Sequence, residues 1–218
     1  MRHPAPVKRS APGRPTREAS VELNLHILGI AKQEFIAKGF DGATIEGIAN
    51  KAGTSKLTLY RHFESKKGLF IAVAEHQISL YSSQLMKKID TSQPPERVLQ
   101  EIGLFISSSY FQPEGQSLIR ILISELNRVE GLPAIAARFA NLARSPVERY
   151  FKFLQTQQLA NFDDARLAAI QFVNLCMLGQ YFLLCEEKLA IPGLQMRKKI
   201  VLSAVKLFAT GYLSLTDK

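Results

Sequence analysis

The sequence is poor in the residues on which catalysis and metal binding most often depend. It holds two cysteines and four histidines in 218 residues. Cys176 and Cys185 stand nine apart in an apolar stretch, a spacing that suits neither a metal site nor a disulfide framework. They read as two small buried hydrophobes, with a redox sensor as the alternative. The chain also lacks a nucleophile elbow, a phosphate-cradling glycine loop and an acid/base pair at helical spacing in its apolar region, which argues against an enzyme. Neither a cofactor nor a metal is expected.

Long hydrophobic runs are missing too. No window reaches the roughly 18 consecutive apolar residues of a membrane span, and no apolar signal core follows the basic start. A soluble, cytoplasmic protein with no membrane partner is expected. Sustained apolar/polar alternation, the mark of a half-buried strand, is absent from Ala19 onward, so the expected fold is all-α. Acid is absent from residues 1 to 17, which contain Arg2, Lys8, Arg9, Arg14 and Arg17 together with Pro4, Pro6, Pro12 and Pro15. This segment reads as a disordered basic arm over residues 1–18. The four prolines would break the amphipathic helix that an organellar presequence requires.

What is present is an apolar content of 46%, enough for a sizeable core, and a formal charge of +9. Residues 1–66 hold 11 Lys/Arg against 6 Asp/Glu, whereas residues 67–218 hold 17 against 13. The excess is concentrated in the first third, which is compatible with a polyanionic partner. A first helix is predicted over Ser20–Lys38, with Ile27, Leu28, Ala31 and Phe35 on one stripe and Gly39 as its stop. Thr44 is a suitable N-cap for a short second helix, whose inner face is Ile45, Ile48, Ala49 and Ala52 and whose first turn carries Glu46. Gly53 stands where a tight turn needs a positive φ. Thr54 or Ser55 caps a third helix over about Lys56–His62, and Ser65 caps a fourth that runs to about Ile89.

Breaks at Pro94-Pro95, Gln112-Pro113, Gly131-Leu132-Pro133, Asn161 to Asp164 and Ile191-Pro192-Gly193 leave room for five further helices. These are predicted over about 95–110, 114–129, 133–158, 163–187 and 194–214, about nine helices in all. Ser145-Pro146 is expected to kink or split the third of them. The long fourth helix is expected to join a domain over residues 19–66 to a second over residues 67–218.

Two short capped helices joined through Gly53 match the helix-turn-helix plan, in which the second helix enters the DNA major groove and the first crosses the phosphate backbone. Ser55, Lys56, Thr58, Arg61 and His62 supply a polar, basic outer face, while Leu59 and Phe63 point inward. Tyr60 carries a hydroxyl within reach of a phosphate, and Lys66 and Lys67 open the next helix, where backbone N–H groups favour an anion. Other roles stay open at each position. The hydroxyls of Thr44 and Ser55 can cap, meet a phosphate or do both; Tyr60 can be a core aromatic; His62 can be a solvated surface residue, and it has no partner at metal-ligand spacing.

The stretch from Ala43 to Phe70 closely resembles the N-terminal signature of the TetR/AcrR family of transcriptional regulators. Thr-Ile-x-x-Ile-Ala, Ala-Gly-x-Ser-Lys-x-Thr-Leu-Tyr-Arg-His-Phe and Ser-Lys-x-x-Leu-Phe carry it, within a match over about residues 20–75. The resemblance implies phosphate contacts from Thr44, Tyr60, His62 and Lys66 and a groove-facing set of Thr54, Ser55, Lys56, Leu57 and Thr58. Leu57 departs from the family, many of whose members carry glycine there. A leucine at that point either meets a thymine methyl or limits how deeply the helix seats.

In the second domain, Leu118 to Phe153, Ala169-Ile170-Gln171-Phe172 and Gly179 look similar to the AefR-like branch of the same family. The resemblance implies a dimer interface and a ligand pocket there. Independently, the helix predicted over 163–187 is apolar nearly all round and must be covered on several sides, in part by a two-fold partner. Phe105, Tyr110, Phe139, Tyr150, Phe153, Phe172 and Tyr181 are candidates to line a pocket for a small apolar or aromatic molecule, core packing being the alternative for each. The expectation as a whole is a ligand-responsive repressor that binds a pseudo-palindromic DNA operator as a homodimer and is released by a small effector. The rivals are a sequence-nonspecific architectural DNA binder and, with little support, an enzyme.

Overall fold

The computed structural model describes residues 17–126, 128, 131–177 and 193–213. Most of the basic arm, Cys185, Gly179 and Tyr181 therefore lie outside the described residues. Nine helices are described: α1 (Arg17–Gly42), α2 (Ile45–Lys51), α3 (Lys56–Phe63), α4 (Lys66–Met86), α5 (Pro95–Tyr110), α6 (Pro113–Glu125), α7 (Leu132–Thr156), α8 (Ala165–Cys176) and α9 (Leu194–Tyr212). A single bridge between Ala160 and Leu213 is the extent of strand pairing among the described residues.

Local chemistry sets most boundaries. Gly39 adopts φ 71°, ψ 178°, so the regular path of α1 breaks there and a last irregular turn carries the chain to Gly42. Only glycine takes that conformation without strain. Proline opens α5 and α6 at Pro95 and Pro113, where its missing N–H costs nothing. Asp164 caps α8 by accepting from the amides of Arg166 and Leu167 at 2.8 and 3.1 Å.

Of the kink or split expected at Ser145-Pro146, the split does not occur, because α7 runs through Pro146 as one helix of 25 residues. An interior proline removes one amide donor and leaves the carbonyl four residues back unpaired, here that of Leu142. That carbonyl accepts instead from the hydroxyls of Ser145 at 3.0 Å and Ser82 of α4 at 3.2 Å. Two hydroxyls replace the lost amide.

Two clusters of buried side chains form. The first gathers Ile27, Ala31 and Phe35 of α1, Ile45, Ile48 and Ala49 of α2, Leu59 of α3, and Leu69, Phe70 and Val73 of α4. The second is built from α5, α7, α8 and α9 and takes Leu85 from the far end of α4. One helix thus contributes to both. At the centre of the second cluster Phe151 stacks on Phe162 with ring centroids 4.6 Å apart, and Phe172 and Phe208 pack edge to face at 5.1 Å. No helix among the described residues is long and apolar enough to cross a membrane.

Candidate nucleic-acid interface

Three successive N-caps fix the first domain. Thr44 Oγ1 accepts from the Gly47 amide at 3.0 Å, Ser55 Oγ from Thr58 at 3.1 Å, and Ser65 Oγ from Gly68 at 2.9 Å. Each hydroxyl satisfies an amide that the helix itself cannot. Between the first two caps Gly53 takes φ 62°, and the amide of Thr54 closes the turn on the Ala49 carbonyl at 3.0 Å. Ser55, not Thr54, is therefore the cap of α3.

The exit of α3 is tighter. Glu64 sits at φ 64°, ψ −40°, and the Ser65 amide donates to the Phe63 carbonyl at 2.6 Å. A non-glycine residue in such a γ-type turn stores backbone strain. The consequence is a close approach: a β-carbon placed on Gly68 would lie 2.0 Å from the Phe63 carbonyl oxygen. The end of α3 therefore rests on the first turn of α4 at glycine distance.

With α3 anchored through Leu59, which is fully buried, its opposite side faces solvent. Leu57, Arg61 and Glu64 follow at intervals of four and three residues, which places them on one face; all three are exposed. Leu57 is 77% exposed, more than any other large apolar side chain described. Tyr60 is 48% exposed beside them, so its reading as a core aromatic does not hold.

The polar groups of the groove-facing set are largely engaged within the protein. Besides capping α3, Ser55 Oγ lies 2.9 Å from Thr58 Oγ1. Lys56 Nζ is 2.7 Å from Glu46 Oε2, an exposed ion pair between the first turns of α3 and α2. His62 is half-buried with its ring 6.1 Å from that of Phe63, and Thr54 is half-buried in the turn. Arg61 has no ion-pair partner among the described residues, which makes it a cation free to meet a phosphate. The sequence placed it on the outer face of α3 and within the Tyr-Arg-His-Phe run of the signature, yet it was not among the expected contacts.

Lys66 is engaged within the protein. Its Nζ donates to the carbonyls of Asp41 at 3.2 Å and Ala43 at 3.1 Å and stands 4.7 Å from the centre of the Phe40 ring. The cation thus satisfies the orphan carbonyls at the end of α1. On the other side of the same junction the buried carboxylate of Glu34 pairs with Lys38 at 2.8 Å and with Lys51 of α2. Hydrogen bonds from Lys38 and then Lys51 hold the Glu34 carboxyl below the usual carboxylate range, against the opposing effect of burial.

The first domain also touches the second. Ile121 and Leu122 of α6 pack on the first cluster, Glu114 pairs with Lys32 at 2.7 Å, and Arg128 pairs with Asp41 at 2.9 Å. The aromatic pocket candidates are spread through the second domain. Phe105 lies 5.3 Å from Tyr81, Tyr110 5.0 Å from Phe111, and Tyr150 stacks on Phe153 at 6.2 Å. Phe172 belongs to the central aromatic cluster, and Phe139 lies beneath Arg138. A separate groove between α5 and α9 is lined by Glu96, Gln100, Lys206 and Thr210 among others. No group of three His, Cys, Asp or Glu side chains among the described residues could hold a metal ion.

Comparison with known proteins gives the site its context. Residues 27–73 match the profile of bacterial regulatory proteins of the tetR family, and residues 97–214 match that of the AefR-like transcriptional repressor C-terminal domain. The chain is 30% identical over 173 residues to the transcriptional activator FasR of Mycolicibacterium smegmatis, covering 77% of this chain and 76% of FasR. It is 39% identical over 70 residues to the HTH-type transcriptional regulator YerO of Bacillus subtilis, covering 31% of this chain and about a quarter (24%) of YerO. A solved structure from Mesorhizobium loti, assigned to TetR-family transcriptional regulators, superposes with a TM-score of 0.81 at 23% identity, over 92% of this chain and 100% of that one. These relatives are regulators and not enzymes. With its capped helix-turn-helix, its exposed α3 and its helical second domain, the chain belongs to the TetR/AcrR family of DNA-binding transcriptional regulators.

Proposed function

We propose that this protein is a homodimeric repressor that binds a pseudo-palindromic operator and is released by a small apolar or aromatic effector. The observation that carries the DNA-binding part is the exposed face of α3, with Leu57, Tyr60 and Arg61 outward and Leu59 inward. Thr44, Tyr60 and His62 would contact phosphates, the residues from Thr54 to Thr58 would face the groove, and Lys66 would act mainly by holding the α1–α4 junction.

The dimer reading is supported by apolar side chains that the single chain leaves exposed on its last two described helices. Leu167 of α8 is 51% exposed, and Met196 and Leu207 of α9 are 54% and 61% exposed. Two recognition helices would then have to stand about one DNA turn apart, ~34 Å, to enter successive major grooves. An effector that prefers another spacing weakens DNA binding by its differential affinity for the two states. The contacts of Ile121, Leu122, Glu114 and Arg128 with the first domain support such coupling, because a shift of α6 would be felt at α1.

A footprint on the DNA next to the protein's own gene tests this reading. A two-fold symmetric protected site, a dimer by light scattering, and loss of the footprint with a compound found by thermal-shift screening are expected. Protection without sequence preference would favour the architectural alternative. Activation is the second reading, favoured by the similarity to an activator, FasR. Reconstituted transcription from the footprinted promoter separates the two by the sign of the protein's effect.

A further inference from the structure

We infer that Leu57 is the residue through which this protein selects its sequence, by packing against the C5-methyl group of a pyrimidine in the major groove. The inference rests on the DNA-binding reading above and adds to it the chemical feature that is recognised. It follows from what remains available in the first turn of α3. Ser55 Oγ is committed to the Thr58 amide and hydroxyl. Lys56 is held by Glu46. Leu57 alone in that turn presents a large side chain unencumbered, at 77% exposure.

An isobutyl group in water at a helix surface carries a standing hydrophobic cost that burial would relieve. In the major groove the apolar feature of a base edge is the thymine methyl, and contact with it distinguishes T from C without a hydrogen bond. Leu57 shares its face with Arg61 one turn on, and Tyr60 is the neighbouring exposed residue. Those two polar groups are placed to meet the backbone on the flank while Leu57 points into the groove. A leucine here would also reject a phosphate or a bare polar edge, since burying either against it leaves a group unpaired.

The test uses the full-length protein and a binding site selected from random duplexes. Each thymine of that site is replaced in turn by deoxyuridine, which removes the methyl and leaves every hydrogen-bonding group in place. For the unmodified protein, one symmetry-related pair of positions should weaken binding about fourfold per half-site, the effect of one buried methyl group. The same replacements should have no effect on Leu57→Ala, whose fold is not at risk because the side chain is exposed. Two outcomes overturn the inference: no thymine position responds to loss of its methyl, or the response is equal in Leu57→Ala. Failure to select any symmetric site would instead remove the operator reading itself, and the inference with it.

Discussion

Glu46 in the first turn of α2 holds Lys56, the first residue of α3, with 2.7 Å between carboxylate and ammonium. Both side chains are more than half exposed, so the pair adds less than about 1 kcal/mol to stability. Its effect falls on binding, because it places an anion near the proposed phosphate-facing side and occupies a cation there. Glu46→Gln should therefore bind all duplexes more tightly and steepen the dependence of log K on log salt by about one, the signature of one further phosphate contact. Fluorescence anisotropy over a salt series measures this. An unchanged slope would mean that Lys56 does not reach the backbone once released.

Tyr60 and Lys66, neighbours in the motif, should behave differently when altered. The Tyr60 ring is half exposed, so Tyr60→Phe should leave the melting temperature unchanged and weaken binding to all sequences alike. Lys66 supports two carbonyls and an aromatic ring. Lys66→Ala should cost about 1–2 kcal/mol, and its loss of DNA affinity should track the loss of folded protein. Thermal melts beside binding isotherms separate the cases. A Lys66→Ala protein of full stability with weakened binding would restore a direct phosphate role.

This pair also shows what could be read from residues alone. The caps Thr44, Ser55 and Ser65, the turn at Gly53 and the stop at Gly39 are local: each depends on amides within three or four positions. Lys66 could not be placed that way, because its partners at Asp41 and Ala43 lie more than twenty residues away. The continuity of α7 was hidden for the same reason, since Ser82 of α4 supplies one of the hydroxyls that make Pro146 tolerable. The described pocket candidates belong to helices scattered from α5 to α8, so their grouping depended on packing that no local pattern encodes.

Among the glycines described, Gly68 leaves the least room for a β-carbon. A methyl group there would collide with the Phe63 carbonyl at 2.0 Å, and the obstacle is backbone, which cannot swing aside as a side chain would. Gly68→Ala should destabilise the domain by about 3 kcal/mol or more and abolish operator binding by displacing the end of α3. Gly29 in α1 is the control, with nothing within 4 Å of its added methyl. Gly29→Ala should stabilise by up to about 1 kcal/mol. Denaturant unfolding of both variants checks the contrast, and equal effects would refute the close approach.

Cys176 is fully buried, and burial pushes its thiol up to about 12. At pH 8 roughly one thiol in ten thousand is then ionised, too few for ready alkylation. In a Cys185→Ser background, iodoacetamide should label Cys176 only after denaturation. Because the folded state keeps a proton that the unfolded thiol gives up near its ordinary value, stability should fall as pH rises past 9. Labelling of the folded protein at the rate of a free thiol would revive the redox reading.

Glu34 should make the first domain acid-sensitive. Glu34 is 2% exposed, and its carboxylate pairs with Lys38 and Lys51, whose hydrogen bonds hold it below the usual carboxylate range. The folded state therefore binds fewer protons than the unfolded chain as pH falls through that range. The stabilisation is complete at neutral pH, starts to fade near the ordinary carboxylate value and is gone below the depressed one. Glu34→Gln keeps the shape, removes the charge and leaves two ammonium groups without it, at a cost on the order of 2 kcal/mol at pH 7. Urea unfolding at pH 7 and pH 4 should show the unmodified protein losing more stability between the two than the variant does. Equal losses would mean that other carboxylates govern the acid response, and that α1 and α2 are held together by the apolar contacts of Phe35, Ile45 and Ile48 without the ion pair.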